Sequence, residues 1–119
     1  MPSQRPFQDQ FIDFSIDVLK LVSRLPSGRI GRHIADQLMR SSTSVGANVQ
    51  EARSAESGPD FIHKMQVALK ELRETGYWLI VIDRGHILKE GWMPDLKDRC
   101  EQLTAILAKS VITAKKNAA

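Results

Sequence analysis

A chain of 119 residues with 42% hydrophobic side chains fits one compact domain over residues 1–119, long enough to bury a core without metal or disulfide staples. Its 17 basic and 14 acidic residues leave a net charge of +3, and they are interspersed rather than gathered, so nucleic acid is permitted as a partner but not indicated. A single cysteine excludes an internal disulfide, the first residues lack the pattern of a secretory signal, and the apolar run Tyr77–Ile82 is far short of the ~20 residues that span a bilayer; the expected compartment is the cytoplasm, with no membrane partner.

The first amphipathic segment places Phe7, Phe11, Phe14, Val18, Leu21 and Leu25 at alternating steps of four and three, with Asp9, Asp13 and Asp17 on another face. Pro26-Ser27-Gly28 interrupts it. A second apolar face then runs through Ile30, Ile34, Leu38, Ser41, Val45, Val49 and Ala52. Its segment from Ser41 to Arg53 holds helical spacing although it is built almost wholly from small or polar residues, which predicts close packing around a buried polar motif. Asn48 falls beside Ser41 and Val45 on that face and is expected to be largely buried, fixing helix register through hydrogen bonds. Arg29, Arg32 and Arg40 project to the far side.

Ser57-Gly58-Pro59-Asp60 reads as a stop followed by a start, because proline suits the first helical position and an aspartate there complements the helix dipole. Phe61, Met65, Ala68, Leu72, Gly76 and Leu79 form the third core face. On the opposite side of the wheel stand Val67, Glu71, Glu74, Trp78 and Val81. Such a stripe is costly if exposed on a monomer, so it predicts self-association through this helix. The alternative is that the helix sits centrally and packs both faces inside one bundle. Gly46 and Gly76 read as close helix contacts that offset about 1 kcal/mol of lost helix propensity each, unless they merely weaken their helices. After Gly91 and Pro94, the residues Leu96, Cys100, Leu103, Leu107, Val111 and Ala114 make a fourth helix, with a tail expected to fray. Helices over roughly 7–25, 29–55, 59–85 and 94–115, joined by short links, predict an all-α, antiparallel up-down-up-down four-helix bundle.

No residue set spells out a reaction. A di-iron bundle requires Glu-x-x-His on two helices, and this chain has Glu71-Leu-Arg-Glu74 but no Glu-x-x-His. His33 and Asp36 make one outer pair, too few ligands for a closed metal site, and neither His63 nor His86 adds to it. Glu71 and Glu74 are better read as ion-pair partners of arginines such as Arg40 or Arg53 than as an acid–base pair. Cys100 sits on an apolar face, where a thiol acts as a small hydrophobe. Gly28-Arg-Ile-Gly31 lacks the strand and spacing of a phosphate loop. The expectation is therefore no catalytic residue, no metal and no cofactor.

The strings Gln37-Leu-Met-Arg40-Ser-Ser-Thr-Ser-Val-Gly-Ala-Asn48-Val-Gln-Glu51-Ala and Lys64-Met-Gln-Val-Ala-Leu-Lys70-Glu71-Leu-Arg-Glu74, taken together with Trp78, resemble the bacterial four-helix-bundle family that includes proteins encoded in 23S rRNA intervening sequences. Members commonly carry Asn-Ile-Ala-Glu-Gly where this chain has Asn48-Val-Gln-Glu51-Ala. The resemblance implies a bundle that assembles into a ring of five, related to accessory proteins of diversity-generating retroelements, with no catalytic residues. It implies a packing and assembly role for Arg40, Asn48, Glu51, Lys70, Glu71 and Glu74. The resulting expectation is a noncatalytic homo-oligomeric scaffold that binds RNA or a nucleoprotein, with Arg29, Arg32, Arg40, Lys64 and Lys70 as candidate phosphate contacts. A protein-only adaptor is the alternative.

Overall fold

The structure is a computed structural model that describes residues 7–88, 91 and 93–118. Four helices account for most of them: α1 (Phe7–Val22), α2 (Arg29–Arg53), α3 (Gly58–Arg84) and α4 (Met93–Ala118). Each packs against its neighbour in chain order, and α1 closes the ring of helices against α4. The all-α four-helix bundle expected from the apolar spacing is the fold observed. Phe11, Phe14, Val18 and Leu21 of α1 meet Ile34, Leu38, Val45 and Val49 of α2, Leu72, Leu79 and Ile82 of α3, and Leu96, Leu103 and Leu107 of α4 in one buried core.

Local chemistry sets the helix ends. Beyond Val22, the amides of Arg24 and Leu25 bond to the carbonyls three residues back, at 3.0 and 3.1 Å, and this tightening stops α1 before the expected Leu25. At the start of α3, the Ser57 hydroxyl accepts from the Asp60 amide at 3.2 Å, and Pro59 and Asp60 occupy the first turn as the sequence predicts. Its other end is a Schellman motif: the Ile87 amide donates to the Ile82 carbonyl at 3.0 Å and the His86 amide to Asp83 at 3.2 Å. The residue that turns left-handed there is His86, with φ of 52°, not the adjacent Gly85. Helix α4 keeps its form to Ala118, past the tail expected to fray, with Lys115 and Lys116 in the last turn favourably placed at the negative end of the dipole.

Core assignments change at the helix ends: Phe7, in the first turn of α1, is exposed, and Leu25, Phe61 and Ala114 are half-buried. Ile30 is 66% exposed, because it lies in the first turn of α2 at the margin of the apolar face, and the adjacent Gly31 is buried instead. A Cβ on Gly31 would lie 1.9 Å from the Pro26 carbonyl oxygen, so the turn between α1 and α2 can fold back over the helix only where that carbon is missing. Of the two expected glycine contacts, Gly76 is tight, with the Cys100 Sγ 3.3 Å from its notional Cβ. Gly46 is not, its nearest neighbours being at ordinary contact of 3.8 and 3.9 Å.

Candidate functional site

The polar residues singled out on α2 and α3 meet along a single seam. Arg40, Ser44, Asn48 and Glu51 recur at steps of four and three along one edge of α2, and Lys64, Val67, Glu71, Glu74, Trp78 and Val81 do so along one edge of α3. Because the helices run antiparallel, Glu51 meets Lys64 near one end, with Nζ to Oε1 at 2.9 Å. Further along, the Arg40 guanidinium forks between two carboxylates, donating to Glu71 at 2.8 Å and closely to Glu74. Glu74 also accepts from the Trp78 indole at 3.2 Å. Trp78 in turn lies edge-on to His33 of α2, with ring centroids 5.8 Å apart, and to Tyr77 at 5.1 Å. Beneath this layer the fully buried hydroxyls of Thr75 and Ser41 share a hydrogen bond of 2.9 Å, joining the two helices inside the core.

The electrostatics follow from these contacts. The hydrogen bond from Arg40 holds the Glu74 carboxyl below the usual carboxylate range, and bonds to Glu74 and Glu71 raise the Arg40 guanidinium still higher. The hydrogen bond to Glu51 likewise raises Lys64. Glu74 is thus held ionised and turned toward a cation, so it acts as a fixed anchor between helices. The expected pairing of both carboxylates with Arg40 is borne out, whereas Arg53 lines a separate cavity with Phe7, Gln8 and Phe61.

Other expectations divide. Asn48, expected to be largely buried, is half-buried, and its carboxamide donates to the Ser44 carbonyl of its own helix at 2.9 Å, since the edge rather than the centre of the apolar face carries it. Val67, Glu71, Glu74, Trp78 and Val81 are all half-buried. Of this stripe, Glu71, Glu74 and Trp78 lean on α2 through Arg40 and His33, while all five positions keep part of their surface open. Among the candidate phosphate contacts, Arg29, Arg32 and Lys70 are exposed, while Arg40 and Lys64 are engaged by carboxylates.

Two apolar surfaces escaped the sequence reading. On α1, Ile12, Ile16 and Leu19 are exposed, outside the core face. Between α3 and α4 lies a groove of about 500 Å³, floored by Leu72, Gly76 and Cys100 and flanked by exposed Tyr77 and Ile80. Burial pushes the Cys100 thiol up to about 11, which keeps it protonated as the hydrophobe expected from its position. Among the described residues no group of three histidine, cysteine, aspartate or glutamate side chains is placed to hold a metal ion, and no helix is long and apolar enough to cross a membrane.

The geometry defines a helical-bundle protein whose shared polar strings close a seam between two helices rather than line a cleft. The family profile of the 23S rRNA-intervening sequence protein matches residues 7–109, and the chain belongs to that family, as the two strings across the seam suggested. It is also similar to a crystal structure of a protein of unknown function from the S23 ribosomal protein family of Bacteroides thetaiotaomicron VPI-5482. That structure is 29% identical, covers 89% of this chain and 98% of its own, and superposes with a TM-score of 0.81. No protein of curated function matches the chain significantly.

Proposed function

We propose that this chain is a noncatalytic scaffold that assembles with copies of itself, as a ring of five, and presents basic surface to RNA or a nucleoprotein in the cytoplasm. The observation that supports it most is the pair of apolar surfaces a lone chain leaves in water: Ile12, Ile16 and Leu19 on one side, Tyr77 and Ile80 on the other. A net charge of +3 per chain becomes about +15 over five copies, enough to set up a field over a rim even where one copy is only mildly basic. Arg29, Arg32 and Lys70 supply exposed cations for phosphate. The pairing of Glu71 and Glu74 with Arg40, and the protonated thiol of Cys100, favour a role without chemistry.

One observation favours a protein-only adaptor: two of the five candidate phosphate contacts, Arg40 and Lys64, already hold carboxylates. Native mass spectrometry on protein purified at low salt without nuclease separates these readings. Five subunits with added nucleic-acid mass, and an affinity for RNA that falls steeply with salt, support the scaffold with RNA. Five bare subunits move the reading to the adaptor. A clean monomer removes the assembly altogether.

A further inference from the structure

The outer side of the α1–α2 pair carries a ridge. Ile12, Ile16 and Leu19 recur at steps of four and three on a flank of α1 separate from Phe11, Phe14, Val18 and Leu21, and Ile16 is 45% exposed. The Gln8 carboxamide donates to the Gly46 carbonyl at 3.3 Å and the Ser15 hydroxyl to the Ser42 carbonyl at 3.0 Å. That antiparallel register brings Met39 of α2, itself 42% exposed, alongside Ile16 and Leu19. The ridge therefore consists of four large aliphatic side chains across two helices.

The groove between α3 and α4 lies on the opposite side of the bundle, because the helices are arranged in chain order around the core. Its lining is small and apolar where depth is needed, at Gly76, Ala105 and Ala108, and Tyr77, 58% exposed, stands at its edge. Nothing larger than a methyl group projects from those three positions, so aliphatic side chains can enter. The charges bordering the two surfaces differ in balance: Asp9 and Asp13 outnumber Lys20 on the flank of the ridge along α1, while Lys70, Arg73 and Lys97 outnumber Glu101 around the groove.

We propose that the occupant of the groove is a second copy of this chain, which seats its α1–α2 ridge against α3 and α4 of its neighbour. This rests on the self-assembly reading above and assigns its surfaces. Such a contact is head-to-tail, since ridge and groove are different surfaces; it closes into a ring when the rotation per copy allows, and otherwise runs on as a filament. A two-fold contact of ridge with ridge would leave the groove open in every copy. Only the head-to-tail arrangement covers both apolar surfaces with one kind of interface. The edge carrying Trp78 then acts within the chain, not between chains.

The test is a complementation by mass. Ile16→Glu places a charge on the ridge and Tyr77→Glu places one at the groove; both sites are exposed, so far-UV circular dichroism of each variant stays at the wild-type level. Each variant alone is expected to be a monomer by native mass spectrometry. An equimolar mixture is expected to form dimers of one variant with the other, because the intact groove of the first meets the intact ridge of the second. If either variant alone keeps the mass of an assembled wild type, or the mixture remains monomeric, the surfaces are wrong although assembly stands. A monomeric wild type overturns both this inference and the assembly it rests on. As a second measurement, Ile16→Cys and Ala105→Cys chains, each also carrying Cys100→Ala, form a disulfide under mild oxidation only when mixed; a disulfide in Ile16→Cys alone marks a ridge-to-ridge contact and overturns the head-to-tail arrangement.

Discussion

Replacing Gly31 by alanine sets two effects of opposite sign against each other. Within a helix, alanine is favoured over glycine by about 1 kcal/mol, so propensity alone predicts a more stable protein. The added Cβ, however, would stand 1.9 Å from the carbonyl oxygen and 2.8 Å from the carbonyl carbon of Pro26, both backbone atoms. No side-chain rotation relieves that overlap. Either the Pro26–Gly28 turn lifts or the first turn of α2 shifts, and the latter carries Ile34 toward the edge of its packing against the core. Overpacking of this kind costs about 3 kcal/mol at the upper end of its usual range, so the net effect is a loss of about 2 kcal/mol. With an m-value of about 2 kcal/mol per molar urea, the midpoint falls by about 1 M, measured by circular dichroism at one fixed protein concentration. Gly46→Ala is the control: its new Cβ finds ordinary contacts at 3.8 and 3.9 Å, so propensity wins and the midpoint rises by about 0.5 M. A Gly31→Ala protein as stable as the wild type would refute the reasoning, as would a Gly46→Ala protein that loses stability.

At the far end of α3, His86→Gly removes a non-glycine residue from the left-handed region at φ of 52° and should raise the urea midpoint by about 0.5 M, corresponding to about 1 kcal/mol; an unchanged or lower midpoint counts against strain at that position. The Glu74 carboxyl lies below its ordinary value of 4.5 in the folded chain, so the stability it contributes is present above that pH and is lost as pH falls through the lower folded value. Because Arg40 and Glu74 are partly exposed, the contribution is modest, about 0.2–1 kcal/mol. Arg40→Met should flatten this acid limb in thermal melts taken from pH 6 downward to about pH 3; limbs of equal slope in variant and wild type would show that Arg40 is not what holds the carboxyl ionised.

The sequence is most readable where one helix answers for itself. The steps of three and four through Phe11, Phe14, Val18 and Leu21, or through Leu96, Cys100, Leu103 and Leu107, state both the helix and its buried side. The stop and start at Ser57 to Asp60 is equally local, and so legible. Reading fails where the determining atom belongs to a distant part of the chain. A helical wheel gives the direction of Trp78 about its own axis but not which neighbour stands there, and the structure puts His33 and Arg40 of α2 on that side. Gly31 is unreadable for a similar reason, because its constraint is a carbonyl in the preceding turn. The ridge on α1 was hidden by its own regularity: Ile12, Ile16 and Leu19 interleave with the core residues at the same spacing, and the stronger pattern absorbs the weaker. At the seam, the pairing of Glu71 and Glu74 with Arg40 was legible from charge and spacing, but the share of Lys64 taken by Glu51 was not.

The arrangement of helices in chain order also bears on how the bundle comes together. The α2–α3 hairpin can form from neighbouring segments, with a short turn between them and Ser41, Thr75, Arg40 and Glu74 supplying a register that does not depend on either end of the chain. Contacts of this local kind cost little loop-closure entropy and favour rapid folding. The closure of α1 on α4 is different: it joins Asp17 to Arg99, 82 positions apart, with the guanidinium 5.8 Å from the Phe14 ring centroid. That junction carries the largest entropic cost in the topology, so it is the natural line along which the bundle opens. Because α1 bears three of the four ridge residues and is tied to α2 through Gln8 and Ser15 independently of Arg99, loosening at that one seam would leave both the ridge in register with Met39 and the α2–α3 hairpin intact.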